Sequence, residues 1–172
     1  PYIMQQYQDT RVVQIGDAGI GVATPDWEGA ATWGTLDSVP DWMTDLDDVA
    51  FKNITHDLYA ETAETYPNNT VAEITSADDN VQVGFYFLMG GIFWNEGMEE
   101  SLADLNENVP NFRSYVASGS DHCVLPLDRF YTYEVEGVRL SDWVTALING
   151  EDVESVHCAD CSAATYIEGA EE

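Results

Sequence analysis

Phe112-Arg-Ser-Tyr-Val-Ala-Ser-Gly-Ser-Asp-His122 decides how this chain is read. Its first six residues are mostly aromatic, β-branched or small, and Pro110 and Gly119 bracket them, so they read as a short buried strand. Upstream, Met98, Leu102, Leu105 and Val109 recur at helical spacing until Pro110 stops the pattern. A helix feeding a strand that empties into a polar loop is one unit of an α/β fold. The same grammar recurs nearer the start. Ile54 to Thr65 reads as a helix, Pro67-Asn-Asn69 as a turn, and Val71 to Thr75 as a second strand. Arg11 to Ile15 is a third, running into the glycine-rich turn Gly16-Asp-Ala-Gly-Ile-Gly21, and Pro1 to Gln8 reads as the end of a helix with Tyr2, Ile3 and Tyr7 on one side.

Downstream, Tyr131, Tyr133 and Val135 alternate with polar residues ahead of a tight Glu136-Gly137 turn. Ser141 is placed to cap a helix whose apolar face is Trp143, Val144, Leu147 and Ile148, and Gly150 sits where a C-cap belongs. Strands alternating with helices indicate an α/β sandwich with a mostly parallel sheet. Such strands are buried on both faces and need neighbours on both edges. Three strands and a hairpin-like segment make a small sheet. The chain is therefore expected to form one unit, 1–172, that is the C-terminal half of a doubly wound domain. The strand Arg11 to Ile15 would pair with the first half, a separate polypeptide or a part of the protein outside this stretch. Residues 27–48 hold Trp27, Trp33 and Trp42 among Pro, Gly and Asp and read as an irregular cap or lid segment.

Composition narrows the partners. Thirty-two Asp and Glu face five Lys and Arg, a formal net charge of -27. That surface repels phosphates, so nucleic acid and anionic membrane are poor partners and none is expected. The acids are dispersed along the chain, the pattern of a protein adapted to a saline environment, where salt screens self-repulsion. Hydrophobic residues at 45% suffice for a core, which argues against disorder. No run of about 18 apolar residues provides a membrane span; the most apolar stretch, Val81 to Trp94, is broken by Gly90 and Gly91, and its aromatics read as core.

Chemistry is expected beyond the carboxyl ends of the strands, where open α/β sheets collect their ligands. His122 follows one strand there, and Asp78 and Asp79 follow another. An acid after one strand and a histidine after a later one is the order of the α/β-hydrolase triad, in which a serine comes first. The carboxylate would set the tautomer of the imidazole and stabilise the imidazolium. Asp121 competes for the acid role but adjoins His122, and Asp17 is expected to fix its own turn through backbone amides. No Gly-x-Ser-x-Gly elbow occurs in these residues. The glycine turn lacks the full dinucleotide-binding spacing. His56 reads as a helix-surface residue and His157 as a surface or packing residue.

These segments resemble the C-terminal half of the pectin acetylesterase family, which includes the Notum-type carboxylesterases. The resemblance rests on Arg11-Val-Val-Gln-Ile-Gly-Asp-Ala-Gly19, Ser76-Ala-Asp-Asp-Asn-Val-Gln82 and Ser118-Gly-Ser-Asp-His-Cys-Val-Leu125. It extends to Tyr131-Thr-Tyr-Glu-Val-Glu-Gly-Val-Arg-Leu-Ser-Asp-Trp-Val144 and Cys158-Ala-Asp-Cys161. It implies an α/β-hydrolase-like fold and a secreted serine esterase, extracellular or periplasmic, that deacetylates a polysaccharide. Asp79, in an Asp-x-x-Gln segment with Gln82, would be the catalytic acid and His122 the catalytic base, with no cofactor and no metal. The nucleophile and the oxyanion hole would come from outside this chain. Two alternatives stand beside it: a lipase or polyester hydrolase on the same scaffold, and a non-catalytic binding or structural protein that keeps the hydrolase architecture.

Cys123, Cys158 and Cys161 are an odd set. Half a zinc site, Cys158-Ala-Asp-Cys161, lacks a second Cys-x-x-Cys. Because Cys123 adjoins His122, a disulfide from Cys123 to Cys158 or Cys161 is expected to tether the tail beside the histidine loop, contributing about 2–4 kcal/mol.

Overall fold

The computed structural model describes residues 1–25, 27, 34, 36–43 and 54–161. Its elements are α1 (Tyr2–Gln6), β1 (Val13–Asp17), α2 (Ile54–Thr65), β2 (Thr70–Ser76), α3 (Asn80–Leu88) and α4 (Trp94–Asn108). There follow β3 (Phe112–Ala117), α5 (Arg129–Thr132), β4 (Glu134–Val135), β5 (Val138–Arg139), α6 (Leu140–Asn149) and β6 (Val156–His157). Four strands form one sheet in the order β1-β2-β3-β6, every pair parallel. The protein is thus an α/β fold whose parallel sheet is flanked by helices.

Side chains of adjacent strand residues point to opposite faces, and β3 uses both. Phe112 packs its ring 5.8 Å from Tyr59 of α2, and Ser114 accepts a hydrogen bond from Asn106 of α4 at 2.8 Å, so α2 and α4 cover one face. Tyr115 points the other way, its ring 5.5 Å from Trp143 of α6. Burial on both faces explains why β2 and β3 lack an apolar–polar alternation. Each large apolar side chain so buried contributes on the order of 1.5–3 kcal/mol. His56 is no mere surface residue: its Nε2 lies 2.7 Å from Asp104 of α4 and its Nδ1 3.0 Å from Asp57, so it pins α2 to α4.

Several expectations are corrected. The hairpin-like segment is a separate two-stranded unit, β4–β5, turned through Glu136 (φ 51°) and Gly137 (φ 79°). Two consecutive positive φ values make the tight turn that suits strand twist. The fourth strand of the main sheet is instead β6, a two-residue element. The helix α6 begins at Leu140 with Arg139 as N-cap, so Ser141 lies inside it; Gly150 does end it, in the left-handed region at φ 81°. Trp143, Val144 and Leu147 are buried, but Ile148 is exposed. In α1 the residue that enters the core is Met4, while Tyr2, Ile3 and Tyr7 are exposed. Of the aromatics read as core, Trp94 is buried, but Phe85, Phe87 (71% exposed) and Phe93 stand in solvent beside Leu88 and Ile92.

The segment expected as a cap, 27–48, lies largely outside the described residues, Trp33 included. Its described part holds a 3-10 turn, Leu36–Ser38, and places Trp42 edge-on against Tyr66, ring centroids 5.5 Å apart. Tyr66 precedes β2, at the end of that strand opposite Asp79. β1 pairs with β2 alone among the described residues, leaving its second edge without a strand partner there. No helix among them is long and apolar enough to cross a membrane.

Candidate active site

Asp79 and His122 meet. His122 Nδ1 lies 2.8 Å from Asp79 Oδ2 and 3.1 Å from Oδ1. The sheet register explains why residues 43 apart come together. β2 and β3 run parallel and in step, Ser76 opposite Ala117, so their exit loops emerge side by side. Those loops then bond to each other. Ala77 N donates to Ala117 O at 2.8 Å, Asp78 N to Gly119 O at 3.0 Å and Asn80 N to Ser120 O at 3.2 Å. Gly119 takes a φ of 100°, a turn that a side chain resists.

Asp79 is fully buried and is also the N-cap of α3. Its Oδ1 accepts the amides of Val81 and Gln82, each at 3.0 Å, and its Oδ2 accepts the side-chain amide of Gln82 at 3.2 Å. The helix N-terminus favours negative charge on the capping carboxylate. With these donors and the imidazole, no lone pair of consequence is stranded in the interior. The competing acids are disposed of by geometry. Asp78 is exposed. Asp121 turns away to the Tyr133 hydroxyl at 2.6 Å and Arg129 Nε at 3.2 Å; burial and the Asp121 carboxylate push the Tyr133 phenol above its ordinary pKa.

With Nδ1–H donating to the carboxylate, the neutral imidazole carries its lone pair on Nε2. No hydrogen-bond partner of Nε2 occurs among the described residues, and the His122 side chain is 32% exposed. The imidazole is thereby held in one tautomer, with its side chain partly open to solvent.

Three features were not foreseen. Asp17 does bond backbone amides, but not those of its own turn. It accepts Val124 N at 2.8 Å and Leu125 N at 2.9 Å, clamping the far side of the histidine loop to the end of β1. Second, Glu73 of β2 is buried beneath the glycine turn. It accepts Gly19 N at 2.7 Å, Ile20 N at 3.1 Å and the Tyr59 hydroxyl at 2.6 Å. Burial pushes the Glu73 carboxyl up to about 7, although these donors oppose the rise. Two amides of the glycine turn are thus committed to an internal acid. A Cβ at Gly16 would collide with Tyr59 and Glu73, which accounts for that glycine.

Third, the disulfide joins Cys158 to Cys161, and Cys123 is a free thiol, contrary to the expected tether. Strand order gives the reason. Cys123 (φ 57°) lies against the end of β1, its Sγ 3.4 Å from Asp17 O, whereas Cys158 follows β6 and donates its amide to Val116 O of β3. Three strand spacings separate those edges, about 14 Å, beyond the Cα separation that a disulfide bridges. Burial, and then the Asp17, Asp79 and Glu73 carboxylates, push the Cys123 thiol pKa up, so the thiolate is disfavoured beside the imidazole.

A cleft of ≈ 440 Å³ lies between Val22, Ala23 and Pro25 on one side and Tyr86, Gly97 and Ser101 on the other; neither Asp79 nor His122 lines it. Comparison with protein-family models, with curated proteins and with solved structures finds no match to this chain.

Proposed function

We propose that this chain supplies the acid and base of a serine carboxylic-ester hydrolase, with Asp79 orienting His122. The observation that carries the reading is the bond from His122 Nδ1 to the fully buried Asp79 carboxylate, beyond the carboxyl ends of two adjacent parallel strands. Nε2 takes the proton from a serine hydroxyl as it attacks the ester carbonyl, and returns it to the leaving alcohol. That hydroxyl and the amides that hold the oxyanion come from a preceding half-domain paired to the open edge of β1. The resemblance to pectin acetylesterases, carried by the segments that hold Asp79, Gln82 and His122, makes an acetylated polysaccharide the first substrate to try and a secreted enzyme the form in which it works.

A second reading, a lipase or polyester hydrolase, draws support from one observation. Asp79 caps the helix α3, and between Phe85 and Phe93 the side chains of Phe85, Phe87, Leu88, Ile92 and Phe93 are exposed. Apolar surface beside a catalytic pair suits a long acyl chain.

The test is to express the chain together with the coding sequence immediately upstream of Pro1 and assay nitrophenyl esters of increasing acyl length. The polysaccharide reading expects acetate to be hydrolysed fastest, with a steep fall beyond short acyl groups; the lipase reading expects the reverse. In either, a fluorophosphonate should label one serine, and His122→Ala should lower kcat by at least about 10³-fold. An esterase rate untouched by His122→Ala would end both readings.

A further inference from the structure

His157, Cys158 and Cys161 gather three metal-ligand atoms on five consecutive residues. A ring nitrogen of His157 and the two sulfurs all lie within 4.8 Å of one another. The local structure explains the convergence. β6 ends at His157 on the edge of the sheet, its last residue paired with Val116. The chain then turns back so that Cys161 Sγ lies 3.1 Å from Cys158 O, the carbonyl that His157 Nδ1 also meets at 2.9 Å. Cys158 is buried, Cys161 half-buried and the His157 side chain 48% exposed, so the cluster opens to solvent on the imidazole side. Glu99 of α4 brings a carboxylate oxygen to 4.0 Å from His157 Nε2.

We propose that, once the Cys158–Cys161 disulfide is reduced, this cluster is a site for one thiophilic divalent cation such as zinc. In the reducing step a dithiol gives two electrons and two protons to the S–S bond and leaves as its own disulfide, producing two thiols. The ion then displaces both thiol protons to solvent and is held by two sulfurs and one imidazole nitrogen. Tetrahedral zinc sets such donors about 3.5–3.8 Å apart, so the two sulfurs, 1.99 Å apart in the disulfide, must separate on reduction while the imidazole, within 4.8 Å of them, draws in. Water or the Glu99 carboxylate takes the fourth position. The net charge of -27 concentrates cations at the surface and assists loading. The disulfide and the metal are alternative closures of one loop at the end of β6. This site is independent of Asp79 and His122, which lie over other strands.

The experiment is a cobalt titration of the whole chain, oxidised or reduced by a phosphine under argon, with zinc as competitor. Reduced protein should bind one equivalent of cobalt with thiolate-to-metal charge-transfer absorption, and zinc should bleach it. His157→Ala should weaken binding about tenfold or more, Cys158→Ser should remove the charge-transfer band, and Cys123→Ser should change neither. Zinc should also protect Cys158 and Cys161, but not Cys123, from alkylation read by peptide mass. The proposal is overturned if oxidised and reduced chains take up cobalt alike, if Cys158→Ser retains the band, or if a chain unfolded by reduction is neither occupied nor refolded by zinc.

Discussion

Asp17 at the end of β1 holds the amide of Val124, two residues past His122, across 107 positions of sequence. Its second oxygen holds the amide of Leu125. The histidine loop is therefore gripped from both sides: by Asp79 over β2, and by Asp17 over β1. Hydrogen bonds to a charged acceptor contribute about 1.5–3 kcal/mol each. Asp17→Ala is expected to lower unfolding free energy by about 2–4 kcal/mol, read by denaturant titration. If Asp17 positions the imidazole, kcat should fall while KM stays within about twofold, and Asp17→Asn, which keeps one acceptor, should recover part of kcat. A loss of stability with unchanged kcat would make Asp17 purely structural.

Asp79 has two duties, and two substitutions separate them. As N-cap of α3 it accepts two backbone amides, a role that asparagine fills about as well as aspartate. As partner of His122 it must accept from Nδ1–H, and an amide in its place supports the wrong tautomer. Asp79→Asn should therefore keep stability within about 1 kcal/mol while, under the proposed esterase reading, lowering kcat by about 10⁴-fold. Asp79→Ala should lose the cap as well, about 1–2 kcal/mol. Equal stability losses in the two variants would remove the capping account.

Much of this layout is legible in the residues. β2, β3, α2 and α4 lie within a few residues of where periodicity puts them, because a buried parallel strand and an amphipathic helix each leave a pattern in their own residues. The parallel order of two such strands brings an acid after β2 beside a histidine after β3, but position alone leaves Asp78 and Asp79 both open, and the segment resemblance favours Asp79. What stayed hidden depends on distant partners. Glu73 is a lone acid in an apolar strand, and only Tyr59 and the Gly19 and Ile20 amides make it tolerable there. Asp17 looked local because its true partners are 107 and 108 residues away. β6 is two residues long and has no periodicity to read. Phe85 and Phe87 looked like core because hydrophobicity records what avoids water, not whether this chain supplies the cover.

Glycine positions provide a paired control. Gly16→Ala places a methyl against Tyr59 and the Glu73 carboxylate, so the turn must shift and the buried acid loses its amides. A cost of about 2 kcal/mol or more is expected in thermal or denaturant unfolding. Gly84 sits in α3 with open space where its Cβ would stand. Gly84→Ala should stabilise by about 0.5–1 kcal/mol through helix propensity and reduced freedom of the unfolded chain. If Gly16→Ala were as benign as Gly84→Ala, the packing of Tyr59 and Glu73 under the turn would be wrong.

Glu73 sets a pH dependence with a defined sign. Its carboxyl titrates near 7 in the folded chain, against an ordinary value of 4.5. Between those limits the folded state retains a proton that the unfolded state has released, so this group's contribution falls as pH rises and is fully unfavourable above about pH 7. The span is on the order of 3 kcal/mol. Glu73→Gln has no charge to bury and still accepts an amide. Relative to the parent, it should gain stability from pH 4.5 to pH 8. Parallel stability–pH curves for the two proteins would show that Glu73 does not titrate in this range.

Salt should act on the whole coat. A net charge of -27 on one chain opposes compaction, and screening shortens the range of that repulsion from about 30 Å at 0.01 M to about 3 Å at 1 M. The unfolding midpoint should therefore rise with potassium chloride. One residue tests the electrostatic origin. Glu107 lies in the last turn of α4, where no basic residue meets the negative end of the helix dipole. Glu107→Lys removes a like charge and places a cation at that end, about 0.3–1 kcal/mol at low salt. Its advantage should shrink as salt is added. An advantage that persists undiminished at 1 M would trace to side-chain packing, and the salt response would then need a cause other than screening.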